Sequence, residues 1–430
     1  ERSLVFDKIN IKINLFKFPI SIKISKKTFL FIKNKFEKLI YFFLGFKNTS
    51  LDKSSILLID FNPVLYDDLL KNLSKLNKTI LLLNTRRPAA WNFNSFKIIF
   101  NTKCKIVSLS KFKNSISEEI NLNHINFNNN KNDLWKNNDD FKDIFSFGSY
   151  TLWPSIKTSF KKIVDERFSE SIEFISLIKT FFSKTCPSLI LEWSETAQEE
   201  QTILQIAKQF KIKTLYLQHA MAAAEKISAN MGSFMSHLSH SFLSDLQIVW
   251  GSPAQKYGLS HNNTSILSPG SPRHDKFFNF KPSTASGIIL FAPSAPSSIS
   301  SKNIATNSVQ IFDKFIRETC MIINNIPNKK LLVKPHPTPF LLFDIKKLVK
   351  EVDSNISVTY SSNILDILNN SELVITTNNS TIAIEAMMLN KPVISLQTEP
   401  SFLDEQMVKM NAVISITKVS DIENTIKKLL

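Results

Sequence analysis

From about residue 50 onward, short apolar runs alternate with segments whose apolar residues recur every three or four positions. Apolar runs bounded by turn residues predict buried strands, and the periodic segments between them predict helices, so the pattern is that of a doubly wound α/β protein. The first strand is expected over residues 55–61, a helix over 64–76 and a second strand over 79–84, ending in the basic turn Arg86-Arg87-Pro88. A long amphipathic helix over about 155–183 then leads to a strand at 188–193, a helix at 196–210 and a strand at 214–218. Further strands are expected at 247–250 and 265–267, followed by the turns Gly251-Ser252-Pro253 and Gly270-Ser271-Pro272-Arg273. A second series begins with strands at 288–291, 330–333, 356–359, 373–376, 393–396 and 412–416 and closes with a helix at 422–430.

This layout predicts four parts: a basic, aromatic N-terminal segment (1–50), a first Rossmann-like domain (51–245), a crossover region (246–286) and a second Rossmann-like domain (287–430). Residues 121–140 are rich in Asn and Lys without clear periodicity, and an exposed loop is expected there. Residues 28–46 place Phe29, Ile32, Phe36, Leu39, Ile40 and Phe43 on one helical face, with Lys33, Lys35 and Lys38 elsewhere. An interfacial helix has this pattern. A helix packed on the first domain has it too, and that commoner case is the expectation.

The length of 430 residues exceeds one ordinary core and supports two domains. With 43% apolar and 21% charged residues, disordered and fibrous classes are excluded for the whole. The formal charge of +16 points to anionic partners, although a Lys excess alongside abundant Asn, Ile and Phe also reflects an AT-rich coding sequence. Cys104, Cys186 and Cys320 are far apart, which excludes a disulfide framework and a thiolate zinc site and fits a reducing cytoplasm. No charge-free stretch is long enough to span a bilayer, and peripheral attachment to the cytoplasmic face of the inner membrane stays open. The sequence begins at Glu1 rather than Met, so a longer parent protein is expected.

The chemistry-bearing residues fall at predicted carboxyl ends of strands, where open α/β sheets bind ligands. Lys334-Pro335-His336-Pro337 follows one strand and sets a cation and a constrained imidazole there. Asn379-Ser380-Thr381 leads from another strand into a helix carrying Glu385, presenting hydroxyls and free N–H groups suited to a phosphate. Capping explains Ser380 or Thr381 equally well, and dipole complementation explains Glu385. Ser294, in the loop 293–298, offers another donor, and Arg273 a guanidinium for phosphate. In the first domain, Glu195 and His219 follow strands and are the alternative general bases. His237, His240, His261 and His274 have no ligand-like spacing and are read as surface residues, as are Asp67-Asp68 and Asp139-Asp140. There is no GxGxxG, no phosphate loop of the GxxxxGK[ST] type and no Asp-x-Asp pair, so redox, phosphoryl-transfer and metal-chelating readings lose ground.

Gln218-His219, Gly270-Ser271-Pro272-Arg273-x-Asp275, Lys334-Pro335-His336-Pro337 and Asn379-Ser380-Thr381 with Glu385-Ala386 and Pro392-Val393-Ile394 together resemble surface-polysaccharide glycosyltransferases of the GT-B fold. Capsule Kdo transferases, polysialyltransferases and CDP-glycerol glycerophosphotransferases are the groups concerned, and the resemblance covers about residues 185–400. It implies an α/β, GT-B architecture of two Rossmann-like domains facing across a cleft. It also implies a nucleotide-sugar donor held by His336, Ser380 and Thr381, with His219 facing the cleft. Ala220 stands where that family usually has Gly, which weakens the transfer of the His219 role. The expected activity is metal-independent transfer, with no cofactor, of a sugar to a hydroxyl of a surface glycan or glycolipid, a CMP-linked acidic sugar being preferred. The alternatives are glycerophosphate transfer from CDP-glycerol, a UDP-sugar 2-epimerase, and a non-catalytic glycan- or membrane-binding module. Nucleic acid is not an expected partner, because the Lys residues are dispersed.

Overall fold

The computed structural model describes residues 8–15, 18–46, 55–85, 88–136, 138–219, 241–252, 254–256, 265–278, 280–281, 283, 286–293, 306–336, 344–360, 363–377, 380–397, 407–408 and 410–430. The chain divides into two units. Residues 1–216 with 243–245 form the first, and residues 217–242 with 246–430 form the second.

The first unit opens with an antiparallel hairpin of β1 (Lys8–Leu15) and β2 (Phe18–Ser25), which the strand series above does not include. A helix, Lys26–Leu44, follows directly, with the Ser25 side chain accepting a hydrogen bond from the Thr28 N–H at its N-terminus. Then come β3 (Ile56–Ile59), β4 (Ile80–Leu83), β5 (Lys105–Ile106), the short hairpin of β6 (Ser146–Phe147) and β7 (Tyr150–Thr151), β8 (Leu189–Glu192) and β9 (Lys213–Leu217). Within this unit the sheet runs β9-β8-β3-β4-β5, all parallel. Its fully buried runs, such as Ile56–Ile59 and Ile80–Leu83, explain why these strands read as continuous apolar text.

Residues 121–140 are not a loop. The described ones, 121–136 and 138–140, fall in a helix, Ser117–Lys136, and the start of a second, Asn138–Ile144. Asn is a poor helix former, so tertiary packing supplies the stability. Ile120 is buried, the Phe127 ring stacks on Phe168 at 5.3 Å, and the Trp135 ring meets Phe160 edge-on at 6.3 Å, all against the long helix Trp153–Thr185.

The second unit contains β10 (Leu246–Ile248) paired in parallel with β11 (Ser265–Leu267). It continues with β12 (Ile288–Ala292), β13 (Lys330–Val333), β14 (Ser357–Val358), β15 (Leu373–Thr377), β16 (Val393–Leu396) and β17 (Ile414–Ile416). Their order, β14-β13-β12-β15-β16-β17, is all parallel, the strand order of a dinucleotide-binding Rossmann sheet. The chain changes direction across the sheet between β12 and β15.

Side chains alternate between two cores, as the period of two requires. Ile289, Phe291, Leu331, Val333, Leu373 and Ile375 join one core with Phe312, Ile316, Val349 and Ile426. Leu290, Leu332 and Val374 join the other with Phe277, Leu368, Ala383 and Ala386. Each face is therefore covered by helices. Replacing the fully buried Phe291 by Ala is expected to cost about 3–5 kcal/mol, read as a lowered urea midpoint at unchanged slope.

Candidate active site

Parallel register brings several of the second unit's candidate residues to one edge. Phe291 pairs with Val333 on one side and Ile375 on the other, and Ala292 pairs with Thr376. Lys334 leaves β13 at this level, its N–H donating to the Phe291 carbonyl at 2.9 Å. Lys334 and Thr376 are in phase with Leu332 and Val374, so both belong to the face covered by the helix Thr381–Met388.

On that face Glu385 is buried (2% exposed) and its Oε1 accepts from Arg273 Nη2 at 2.9 Å, while His274 Nε2 stands 3.6 Å away. Burial alone would push the Glu385 carboxyl up, but His274 and Arg273 outweigh it and hold the carboxyl below its ordinary value. Arg273 Nη1 also reaches the His219 carbonyl at 3.3 Å. Trp250 reinforces the same strand end, its Nε1 donating to the Gln218 carbonyl at 2.7 Å and its ring meeting His274 edge-on at 4.8 Å. The turn that presents Arg273 requires Gly270, whose φ of +112° is foreign to other residues.

Lys334 is buried too. Desolvation lowers its pKa, and the Glu385 carboxylate only partly offsets this. His336 is exposed, and its pKa is lowered by desolvation first and then by Lys334, which favours a neutral imidazole at neutral pH. Ser380 takes the N-cap position of the helix Thr381–Met388, but its hydroxyl makes no capping bond. Among the described residues, the buried Ser271 Oγ, Arg273 Nε, His274 Nδ1 and Thr376 Oγ1 have no hydrogen-bond partner. Buried polar atoms left open in this way mark a place where a ligand or water completes the set.

Several expectations change. His274 is not a surface residue but one of the most buried polar groups, at 1% exposed. Arg273 has Nη1 and Nη2 committed to His219 and Glu385, so it is not free to clamp a phosphate with two bonds, and it positions its neighbours instead. Glu385 is held by the same ion pair rather than presented to a donor. Ser294 and Asn379 lie outside the described residues. Thr376, Ser271 and Trp250 enter the site although the sequence reading assigned none of them a role. The alternation that buries Val374 was the sequence signal for Thr376, whereas Trp250 carries no signal short of the fold.

In the first unit, the chain changes direction between β3 and β8, and Trp193 Nε1 donates to the Asp60 carbonyl across that point at 3.0 Å. Glu195 lies just beyond β8. It is 1% exposed and accepts from the Leu243 N–H (2.9 Å), the Ser244 N–H (3.0 Å) and Ser244 Oγ (2.9 Å). A carboxylate so enclosed anchors residues 243–244. The general-base role expected of it does not fit, since a base must reach the acceptor hydroxyl.

Ser244 Oγ has one proton yet also lies 3.0 Å from Glu192 Oε1. The contacts are satisfied when Glu192 is protonated and donates to Ser244. Burial, and then the neighbouring Glu195, push the Glu192 carboxyl well above its ordinary value of 4.5. A cavity of about 740 Å³ opens at the carboxyl ends of β4 and β5, lined by Lys38, Tyr41, Asn84, Thr85, Ser108 and Lys111 among others.

Residues 48–406 match the family model of the LIC12162 family transferases. The chain belongs to this family. No curated protein matches it. Among solved structures, a protein described as a UDP-N-acetylglucosamine 2-epimerase from Listeria monocytogenes superposes with a TM-score of 0.52 at 9% identity, covering 88% of each chain. S. aureus MnaA with UDP gives 0.50 at 12% identity, covering 87% of this chain and 88% of that one. The UDP-GlcNAc 2-epimerase of Neisseria meningitidis, bound to UDP-GlcNAc, gives 0.50 at 11%, covering 87% and 90%. At such identities the likeness concerns fold. This transferase is an α/β protein of the GT-B class, built from two Rossmann-like domains.

Replacing Glu385 by Ala removes the counter-charge of a largely buried guanidinium and is expected to cost about 3 kcal/mol, measured by urea unfolding. Glu192 gives a pH signature. Its raised folded pKa contributes stability that is full below the unfolded value near 4.5 and lost as pH rises through the folded pKa, with a slope of up to about 1.4 kcal/mol per pH unit. Glu192→Gln should flatten the decline in unfolding free energy above that pH, and an unchanged slope would show that Glu192 is ionised in the native state.

Proposed function

We propose that this LIC12162 family transferase moves a glycosyl group from a nucleotide-sugar donor to a hydroxyl of a surface glycan or membrane-borne glycolipid. The observation that carries this reading is the direction change between β12 and β15, where Lys334, His336, Thr376 and the start of the helix Thr381–Met388 come to one sheet edge. In this reading the donor phosphates lie against that edge. The acceptor oxygen attacks the anomeric carbon as the bond from that carbon to the phosphate oxygen breaks, and the electron pair stays with the phosphate. The Lys334 ammonium, His336 and the hydroxyls of Ser380 and Thr381 stabilise the charge that develops there, so the reading needs no metal. His219, whose main chain Arg273 fixes, takes the acceptor proton. The cavity of the first unit, with its hydroxyl, amide and ammonium lining, suits a polyhydroxylated acceptor.

The resemblance to capsule enzymes favours a CMP-linked acidic sugar. Two neighbours of the same fold hold UDP or UDP-GlcNAc, which favours a uridine nucleotide and keeps 2-epimerisation as the second reading. The family match favours transfer over epimerisation.

Thermal unfolding with CMP, CDP, UDP and GDP tests the donor site. One nucleotide at saturating concentration is expected to raise Tm by about 5 °C, and Lys334→Met and His336→Ala should each remove most of that shift. No shift with any nucleotide would overturn the reading. Incubation with the sugar nucleotide alone then separates the two reactions, since an epimerase makes product without an acceptor.

A further inference from the structure

Among the described side chains, the helix Lys26–Leu44 packs on the first unit by one side. Leu44 is buried, Ile40 and Tyr41 are half-buried, the Tyr41 hydroxyl donates to the Phe46 carbonyl, and the Phe46 N–H donates to the Ile106 carbonyl of β5 at 2.8 Å. The opposite side is apolar and open. Phe31, Ile32, Phe36, Leu39, Phe42 and Phe43 are 42–65% exposed. At about 100° per residue they occupy an arc of roughly 140°, away from Leu44. Of the stripe expected to pack on the first domain, Ile32, Phe36, Leu39 and Phe43 therefore do not, whereas Ile40 does in part, and the Phe29 side chain lies outside the described ones.

Exposed Lys35 lies within that arc, its Nζ 5.5 Å from the Phe31 ring centre, and exposed Lys38 lies at its margin. Glu37, the helix's one acidic residue, projects from the far side.

We propose that this helix lies in the interfacial plane of an anionic bilayer, with its phenylalanines among the acyl chains and Lys35 and Lys38 at the headgroups. Among the described residues no helix is long and apolar enough to cross a membrane, so the attachment is parallel to the surface. Charge selects lipid over a second copy of the chain. A twofold contact through this face would set its lysines against their own counterparts, whereas an anionic surface complements them and the +16 chain that carries them.

Flotation with vesicles of phosphatidylcholine alone, or mixed with phosphatidylglycerol, tests this without nucleotide and so independently of the donor-site reading. The protein should float with the anionic vesicles, less so as salt rises, and Phe36→Glu with Phe43→Glu should lower binding at least about tenfold. The nucleotide-induced Tm shift should be unchanged in that double variant. As a second readout that preserves the apolar face, Phe42→Trp emission should shift to the blue on anionic vesicles and be quenched by brominated lipid. Absence of flotation, equal flotation of wild type and double variant, or a Phe42→Trp emission insensitive to vesicles would each overturn the proposal. A dimer seen by light scattering and broken by the double variant, without vesicle binding, would assign the face to a second copy.

Discussion

A carboxylate buried in an α/β interior must be compensated, and the second unit is arranged around that requirement at Glu385. The ion pair with Arg273 ties the helix Thr381–Met388 to the turn at Gly270, and Arg273 carries the link on to the His219 carbonyl. Segments far apart in the chain are thereby held in one geometry. The same carboxylate lies close enough to Lys334 to support its charge against burial. A lysine kept partly desolvated acts more strongly on an arriving anion than an exposed one.

The first unit solves a related problem differently. Glu192 and Glu195 lie side by side at the end of β8, and Ser244 lies between them. Burial and the neighbouring Glu195 raise the Glu192 carboxyl, the direction that favours its donating to Ser244. This is a structural use of paired acids, in which a buried cluster is kept hydrogen-bonded instead of serving proton transfer.

Much of the architecture was legible because buried parallel strands leave uninterrupted apolar text, as in Ile56–Ile59 and Leu373–Thr377. The helix Ser117–Lys136 was not, since its Asn-rich surface hides a sparse stripe of Ile120, Phe127 and Trp135 that only the partner helix makes meaningful. At the candidate site, position at a strand's carboxyl end was readable for Lys334 and Ser380. Ownership was not. Whether Arg273 or Glu385 faces a ligand or its neighbour depends on contacts between residues more than a hundred positions apart. The aromatic stripe near the N-terminus failed in another way, since periodicity identifies an apolar face without saying what covers it.

The position of β12 at the centre of its sheet has a consequence for synthesis. Ile289 leaves the ribosome well before Leu373, its partner across β15, and at about 5–20 residues per second the interval lasts several seconds. Throughout that time one edge of β12 has no native partner, although β13 already follows it. The nascent second unit thus passes through a stage with an open apolar strand edge, as β3 of the first unit does for longer while it waits for β8, and both stages favour a chaperone or slow, dilute expression.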